Sequence, residues 1–274
     1  MTFKSILVQA ELGADGAARL AAAASLAAKA QGRVIGVGAV EYAVVTAPYY
    51  GFTTAAGYQE MKLRIERELQ EAEAALRAAA KTAGVDAVWR RSDQSPASAA
   101  ARHARAADLV VVGTQDKGDP TQTVLASDLV MSAGIPVLVV PRGVSKIEAQ
   151  TVFIAWKNTR ETRRAIADAL PLLQTARRVV LAAIIEDQAT ERLQAELDDL
   201  AERLRLHQVD VEIDLATPLG GLAVQQQLAQ MLKSQGADLL VAGAYGHTRM
   251  REWAFGGVTE WLLCNATTPV LFSR

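Results

Sequence analysis

Four glycines in the last part of the chain have a spacing that suits a phosphate-binding loop. Gly243-Ala244-Tyr245-Gly246 follows a short apolar run, and after nine residues the chain reads Gly256-Gly257-Val258-Thr259. Glycine lets backbone N–H groups approach a ligand closely, and the unpaired amides at the start of a helix attract anions. A helix that begins near Val258 would therefore hold a di- or triphosphate largely through backbone hydrogen bonds. The stretch between the glycines would add positive charge from His247, Arg249 and Arg251.

The same glycines are also explained by tight turns. No Gly-Lys-Ser/Thr of a Walker loop is present, and the spacing does not fit the dinucleotide-binding fingerprint. The pattern alone therefore leaves both interpretations open.

The chain contains this region twice. Ala107–Gly113 recurs as Ala237–Gly243, and each copy leads to a short strand that begins with proline, at Pro136 and Pro269. An internal repeat of this kind indicates two similar structural units. The first copy reads Gly113-Thr114-Gln115-Asp116 and later Ala126-Ser127, where the second has its glycines. We expect the first half to bind no nucleotide, because glycines are lost there and a carboxylate would face the phosphate.

Short apolar runs alternate with helical patterns in both halves. Strands are predicted at 3–8, 33–40, 85–90, 108–113 and 136–140, then at 151–156, 178–185, 209–215, 239–243 and 269–273. Helices are predicted at 15–31, 59–83, 96–106 and 121–133, then at 159–174, around Leu193–Leu204, at 222–234 and from 258. This order predicts an α/β fold whose parallel sheet is covered by helices on both faces. The predicted domains are 1–143 and 151–274, joined by a polar linker at 141–150.

Two local details complete this prediction. Asn158, with Glu161 three residues later, is typical of a helix N-cap and its reciprocal partner. Residues 41–58 contain four of the five tyrosines and have no long counterpart in the second half. Long loops inside compact domains tend to be functional. A lid, a partner-binding patch and a flap packed on the other half are the alternatives for this segment.

Composition excludes several classes of protein. The net charge is −1 and the arginine pairs are scattered, which argues against nucleic-acid binding. The single cysteine, Cys264, allows no intrachain disulfide and no cysteine-based zinc site. The alanine-rich run at 17–30 is interrupted by Arg19 and Lys29, so we expect a helix there and not a membrane span. A cytoplasmic protein with no membrane partner is the expectation.

Further phrases resemble the universal stress protein family. They are Phe153-Ile154-Ala155-Trp156, Glu161-Thr162-Arg163-Arg164-Ala165, His247–Glu252 before the closing glycines, and the final Pro-Val-Leu strand. The duplicated length resembles the tandem members, and the match is clearer in the second half. The resemblance implies two Rossmann-like, doubly wound sheets of five strands in the order 3-2-1-4-5. It also implies that the fifth strands meet near Leu138 and Leu271 across a pseudo-twofold, so that one chain mimics the family's dimer. Further dimerisation stays open.

The resemblance also implies a binding site. Family members that bind ATP place adenine near the ends of the first and second strands and the phosphates on the glycine loop. Carried over by position, the site residues are Ala155, Lys157, Ile184, Ala242, Gly243, Tyr245, Gly246, Gly256, Gly257 and Val258. The chain departs from the family at Gly257, where a serine or threonine is usual, and at Lys157, where ATP binders carry an aspartate that accepts from adenine. In the first half Glu11 stands at the aspartate position without a glycine loop.

The function expected from this resemblance is ATP or ADP binding by the second half, as a sensor or weak ATPase, with Mg²⁺ arriving on the nucleotide. No catalytic residue is evident. The alternative is a nucleotide-free protein-interaction module of the same fold, with residues 41–58 as its partner surface. A ligase or an electron-transfer flavoprotein-like domain is a third possibility, although the Ser-Gly-Gly-x-Asp-Ser loop of the ligases is absent.

Overall fold

A computed structural model describes residues 2–39, 55–116, 124, 126–185, 190–245 and 257–274. The first half contains β1 (Ser5–Gln9), α1 (Ala14–Lys29), β2 (Arg33–Ala39), α2 (Ala55–Ala83), β3 (Asp86–Ser92), α3 (Pro96–His103), β4 (Leu109–Gly113), α4 (Ala126–Ser132) and β5 (Val137–Val140). The second half contains β6 (Thr151–Ala155), α5 (Arg160–Leu173), β7 (Arg178–Ile184), α6 (Thr190–Leu206), β8 (Glu212–Ala216), α7 (Val224–Ser234), β9 (Leu239–Gly243), α8 (Gly257–Asn265) and β10 (Val270–Ser273). The predicted alternation of strands and helices is confirmed in both halves.

All ten of these strands form one sheet in the order β3-β2-β1-β4-β5-β10-β9-β6-β7-β8. Within each half the neighbouring strands are parallel and follow the expected order 3-2-1-4-5. The halves join where β5 and β10 pair antiparallel, with Leu138 directly opposite Leu271. The expected meeting of the fifth strands is therefore confirmed.

Successive strand residues point to opposite sides of the sheet, and helices cover both sides. One face is covered by α1, α2, α5 and α6, and its core includes Leu20, Leu76, Ile166 and Leu197. The other face is covered by α3, α4, α7 and α8, and its core includes Ala99, Leu129, Leu228 and Leu262. Each core runs through both halves, so the two units share their hydrophobic packing.

Several predicted boundaries differ from those observed. Helix α2 begins at Ala55, so the last four residues of the 41–58 segment belong to a helix, and the rest of that segment lies outside the described residues. Strand β8 begins at Glu212, three residues later than predicted. Both differences lie at element ends, where sequence patterns are least informative.

The segment at 141–150 contains no helix or strand, but it is anchored to the first half. Ile147 is buried, and the Lys29 Nζ donates to the Ile147 carbonyl at 2.8 Å and to the Glu148 carbonyl at 3.0 Å. These bonds hold the connection against the end of α1. Among the helices of the described ranges, none combines the length and the apolar character needed to cross a bilayer.

Candidate functional site

The strand register brings the predicted site residues of the second half to one edge of the sheet. Ala155 at the end of β6 lies beside Ala242 on β9. Ile184 ends β7 and Gly243 ends β9. The carboxyl ends of these strands therefore form the crevice in which open α/β sheets bind ligands, at the point where the strand order reverses.

Gly243 is required by packing. A Cβ added there would lie 2.4 Å from the Thr162 backbone nitrogen and 2.7 Å from its Oγ1, because the first turn of α5 sits against the end of β9. This contact accounts for the glycine without any ligand. It also brings the N-terminus of α5 next to the predicted site.

The cap of α5 differs from the prediction. Thr159, not Asn158, is the N-cap residue, and its Oγ1 accepts from the Thr162 N–H at 3.2 Å. Asn158 accepts instead from Arg163 at 2.6 Å. Glu161 is buried and paired with Arg160. Burial opposes ionisation of the Glu161 carboxyl, but the neighbouring Arg160 outweighs it and holds the pKa of Glu161 below its usual value.

Tyr245 lies just beyond β9 with a φ of 60°, in the left-handed region that non-glycine residues seldom occupy. Its ring packs against the core around α4 and α8. Burial, followed by the negative charges of Glu260 and Asp128, raises the pKa of the Tyr245 phenol to about 12. Strained backbone of this kind is concentrated at functional sites.

Gly257 and Val258 begin α8. Gly257 is exposed, and a Cβ placed on it would meet no heavy atom within 4 Å. No described residue crowds the start of α8 at this position. Gly246 and Gly256, the other two glycines of the predicted loop, lie outside the described residues.

Lys157 and Trp156 follow β6 at the same edge. The side chain of Lys157 is exposed. Trp156 packs its ring against the core, and its indole Nε1 is buried with no hydrogen-bond partner among the described residues. A buried donor without a partner is unusual and needs an explanation.

The first half differs at the equivalent helix. Counted back from Pro136 and Pro269, Val124 matches Gly257 and Ser127 matches Glu260, so the expected match of Ala126-Ser127 with Gly256-Gly257 is wrong by three positions. The error arises because Pro136 follows Gly113 by 23 positions whereas Pro269 follows Gly243 by 26, so the first copy is three residues shorter in this stretch. Val124 is buried where Gly257 is exposed.

Gln115 fills the amide end of α4. Its Oε1 accepts from the Ser127 N–H at 3.1 Å, and its Nε2 donates to Glu260 Oε1 at 3.0 Å. The Gln115 backbone N–H also donates to the Leu263 carbonyl at 2.9 Å. The side chain is 2% exposed. An internal amide thus takes the place that an anion would need in the first half, and it ties α4 to α8.

The first half also carries a partly buried ion pair. Arg19 Nη2 donates to Glu11 Oε2 at 2.7 Å, and the Arg19 side chain is 7% exposed. Asp116, the carboxylate expected to face a phosphate, pairs with Arg142 at 3.3 Å. No group of three or more His, Cys, Asp or Glu side chains that could hold a metal ion occurs in the part of the chain that the structure describes.

The fold and the repeated unit define the class of protein. A model of the universal stress protein family matches residues 2–141 and again 157–274. The chain therefore belongs to the universal stress protein family and contains two copies of its domain.

Two solved structures have the same fold over nearly the whole chain. A universal stress protein from Archaeoglobus fulgidus DSM 4304 is 13% identical, covers 100% of this chain and 99% of its own, and superposes with a TM-score of 0.72. A putative universal stress protein from Pseudomonas aeruginosa UCBPP-PA14 is 16% identical, covers 98% and 92%, and has a TM-score of 0.56. A universal stress protein solved in complex with cAMP is 18% identical, with coverage of 52% and 100% and a TM-score of 0.38. A search of curated proteins finds no match.

Sequence reasoning missed the roles of Gln115, Trp156 and Arg19. In the sequence, Gln115 stands out only because it takes the position that Tyr245 has in the second half. Arg19 carried a signal, because it interrupts an otherwise apolar helix face at a position flanked by buried residues. Trp156 carried none, since a tryptophan at a strand end is explained by packing alone.

Proposed function

We propose that the second half of this tandem universal stress protein binds an adenine nucleotide, ATP or ADP, in the crevice beyond β6, β7 and β9. The observation that carries the proposal is the exposed glycine at the start of α8, Gly257, where no described residue lies within 4 Å of an added Cβ. The equivalent end of α4 is closed by Gln115, so the two halves have different capacities for an anion.

The phosphate end of the proposed site is formed by backbone. Gly257 and Val258 supply amides at the start of α8, where the helix dipole favours negative charge. The free space in front of Gly257 fits a phosphate group that approaches the backbone closely. Mg²⁺ would arrive with ATP and be held mainly by the phosphates.

The base end is formed by small and apolar side chains. The small side chains of Ala155 and Ala242 leave space at the strand ends, and Ile184 adds an apolar surface. A flat ring can therefore lie across them. Lys157 has donors only, so it cannot accept from the adenine amino group in the way that an aspartate would.

A thermal melt with and without millimolar Mg-ATP, ADP and AMP tests the proposal, beside extraction of any nucleotide that co-purifies. A ligand that binds only the folded state at 100 times its Kd adds about 2.7 kcal/mol, which gives a clear shift in Tm. Gly257→Val should abolish the shift and leave the unliganded Tm nearly unchanged, because the space in front of Gly257 is open.

Gly220→Val is the matched control. Gly220 is an exposed glycine after β8, at the outer edge of the sheet, and a Cβ on it would also meet nothing within 4 Å. We expect this variant to keep the nucleotide shift. The absence of a shift and of extracted nucleotide in the unmodified protein would refute nucleotide binding and favour the interaction module.

A further inference from the structure

The first half contains a second cavity that nucleotide binding does not use. It has a volume of about 500 Å³ and lies at the carboxyl ends of β1, β4 and β5. Its apolar lining includes Leu12 and Leu69, and its polar lining comes from Gln9, Glu11, Asp15, Arg19, Glu68, Thr114 and Arg142. A volume of this size holds a small metabolite.

Arg19 is the most unusual group in this lining. Its side chain is 7% exposed, only one of its interactions is with a carboxylate, and its Nε has no hydrogen-bond partner among the described residues. Arginine presents five donors and cannot lose its charge, so a buried guanidinium with an unused donor calls for an acceptor. The Nε itself is closed off from the cavity, but Arg19 lines it, so a ligand oxygen there would accept from the Nη groups of the guanidinium.

The fold does not require this arginine. Counted from the aligned strands β1 and β6, Arg19 matches Ala165 and Glu11 matches Lys157, so the second half builds the same α/β unit without the pair. Gly113 packs directly under the guanidinium, since a Cβ there would lie 2.7 Å from Arg19 Nη1. Glycine stands at this position in both halves, but only in the first half does a guanidinium occupy the space beside it.

The charges of the cavity exclude a triphosphate. Asp15 and Asp116 both pair with Arg142 at the rim, at 3.6 and 3.3 Å, and Glu11 faces the same space. Carboxylates thus outnumber the two arginines, and the amide end of α4 is already occupied by Gln115. A ligand with several negative charges would be repelled, whereas one that carries a single charge of each sign finds a partner for both.

We propose that this cavity binds a small zwitterion of the α-amino-acid class, with its carboxylate on Arg19 and its ammonium group on Glu11 and Asp15. The apolar lining at Leu12 and Leu69 would take an aliphatic side chain. The proposal is independent of nucleotide binding by the second half.

The experiment is a thermal-shift screen of the twenty standard amino acids on the full chain, followed by calorimetric titration of L-leucine and the strongest hit. Isopentylamine and 4-methylpentanoate, which carry one charge of leucine each, are the single-charge comparisons. We expect each analogue to bind at least about tenfold more weakly than leucine, since a hydrogen bond to a charged group is lost in each case. ATP should not compete with leucine.

Two variants locate the site. Glu11→Gln should weaken leucine binding about tenfold or more, and Arg19→Met should abolish it. If Arg19→Met does not fold, Glu11→Gln decides, because Glu11 is 31% exposed and tolerates the change better. Glu73→Gln is the control, since Glu73 is 32% exposed and also paired with an arginine, but it lies on α2 outside the cavity lining.

Three results would overturn the proposal. They are a screen in which no amino acid shifts the melt, equal binding of leucine and its single-charge analogues, and an unchanged leucine affinity in Glu11→Gln. A leucine affinity lowered equally by Glu73→Gln would also count against it, because the loss would then reflect a general change of surface charge.

Discussion

Tyr245 and Gln115 occupy equivalent positions after β9 and β4, yet they act differently. The side-chain amide of Gln115 makes hydrogen bonds to both α4 and α8. Tyr245 adopts a φ of 60° and places its phenol near Glu260 of its own half and Asp128 of the other. Gln115 thus closes the amide end of α4, whereas α8 begins at an exposed glycine, Gly257.

The phenol of Tyr245 gives the protein a defined alkaline transition. Its pKa is raised to about 12 in the folded protein, against about 10 in an unfolded chain. The folded state therefore holds this proton more tightly, and the associated stability is full below pH 10 and lost as the pH rises toward 12. Tyr245→Phe should lower this dependence, which urea unfolding at pH 9 and pH 11 can measure. A variant whose stability falls as steeply as that of the unmodified protein would contradict the assignment.

At the level of elements, Gln115 couples helices α4 and α8 through its side-chain amide and its backbone N–H. Gln115 joins the Ser127 N–H, Glu260 and the Leu263 carbonyl, and two of these partners belong to the helix that begins at Gly257. Because the amide is almost fully buried, water cannot replace its bonds.

Gln115→Met tests this coupling. The variant keeps the volume but leaves the Ser127 N–H and the Glu260 carboxylate without this partner, so we expect a loss of about 2 to 4 kcal/mol in the free energy of unfolding. Hydrogen exchange of the α8 amides should also become faster. The control is Gln194→Met, which removes one hydrogen bond to Asp198 on α6 and should change stability by less than about 0.5 kcal/mol. Equal effects in the two variants would refute the coupling.

The whole molecule depends on the antiparallel pair of β5 and β10. Leu138 and Leu271 face each other there and both are fully buried. Since the two cores continue through both halves, neither half by itself would cover its core at this edge.

A double-mutant cycle measures the energetic coupling of the two halves across the β5–β10 pair. Leu138→Ala and Leu271→Ala should each cost about 2 to 5 kcal/mol, and their effects should deviate from additivity by about 0.5 to 3 kcal/mol because the side chains are neighbours. Leu138→Ala with Leu181→Ala is the comparison, since β7 lies four strands from β5 and these effects should add. Additivity in both pairs would indicate that the halves are energetically independent.

The sequence by itself determined the repeated α/β unit. Apolar periodicity is local, so it predicted the ten strands and eight helices that the described part of the chain contains, and the resemblance predicted their order and the meeting of β5 and β10. It also identified the residues at the carboxyl edge of the second sheet. The helix cap at Thr159 and the start of α2 were missed, because such boundaries depend on a few bonds that periodicity does not carry.

Only the tertiary structure decided which polar groups meet. The bond between Gln115 and Glu260 joins residues 145 positions apart, and no local pattern links them. Burial of Arg19 beside Glu11, and of the Trp156 indole with no partner among the described residues, follows from how the helices pack on the sheet. Such contacts arise from the packing of distant elements, and that packing closes the end of α4 with Gln115, while Gly257 at the start of α8 is exposed.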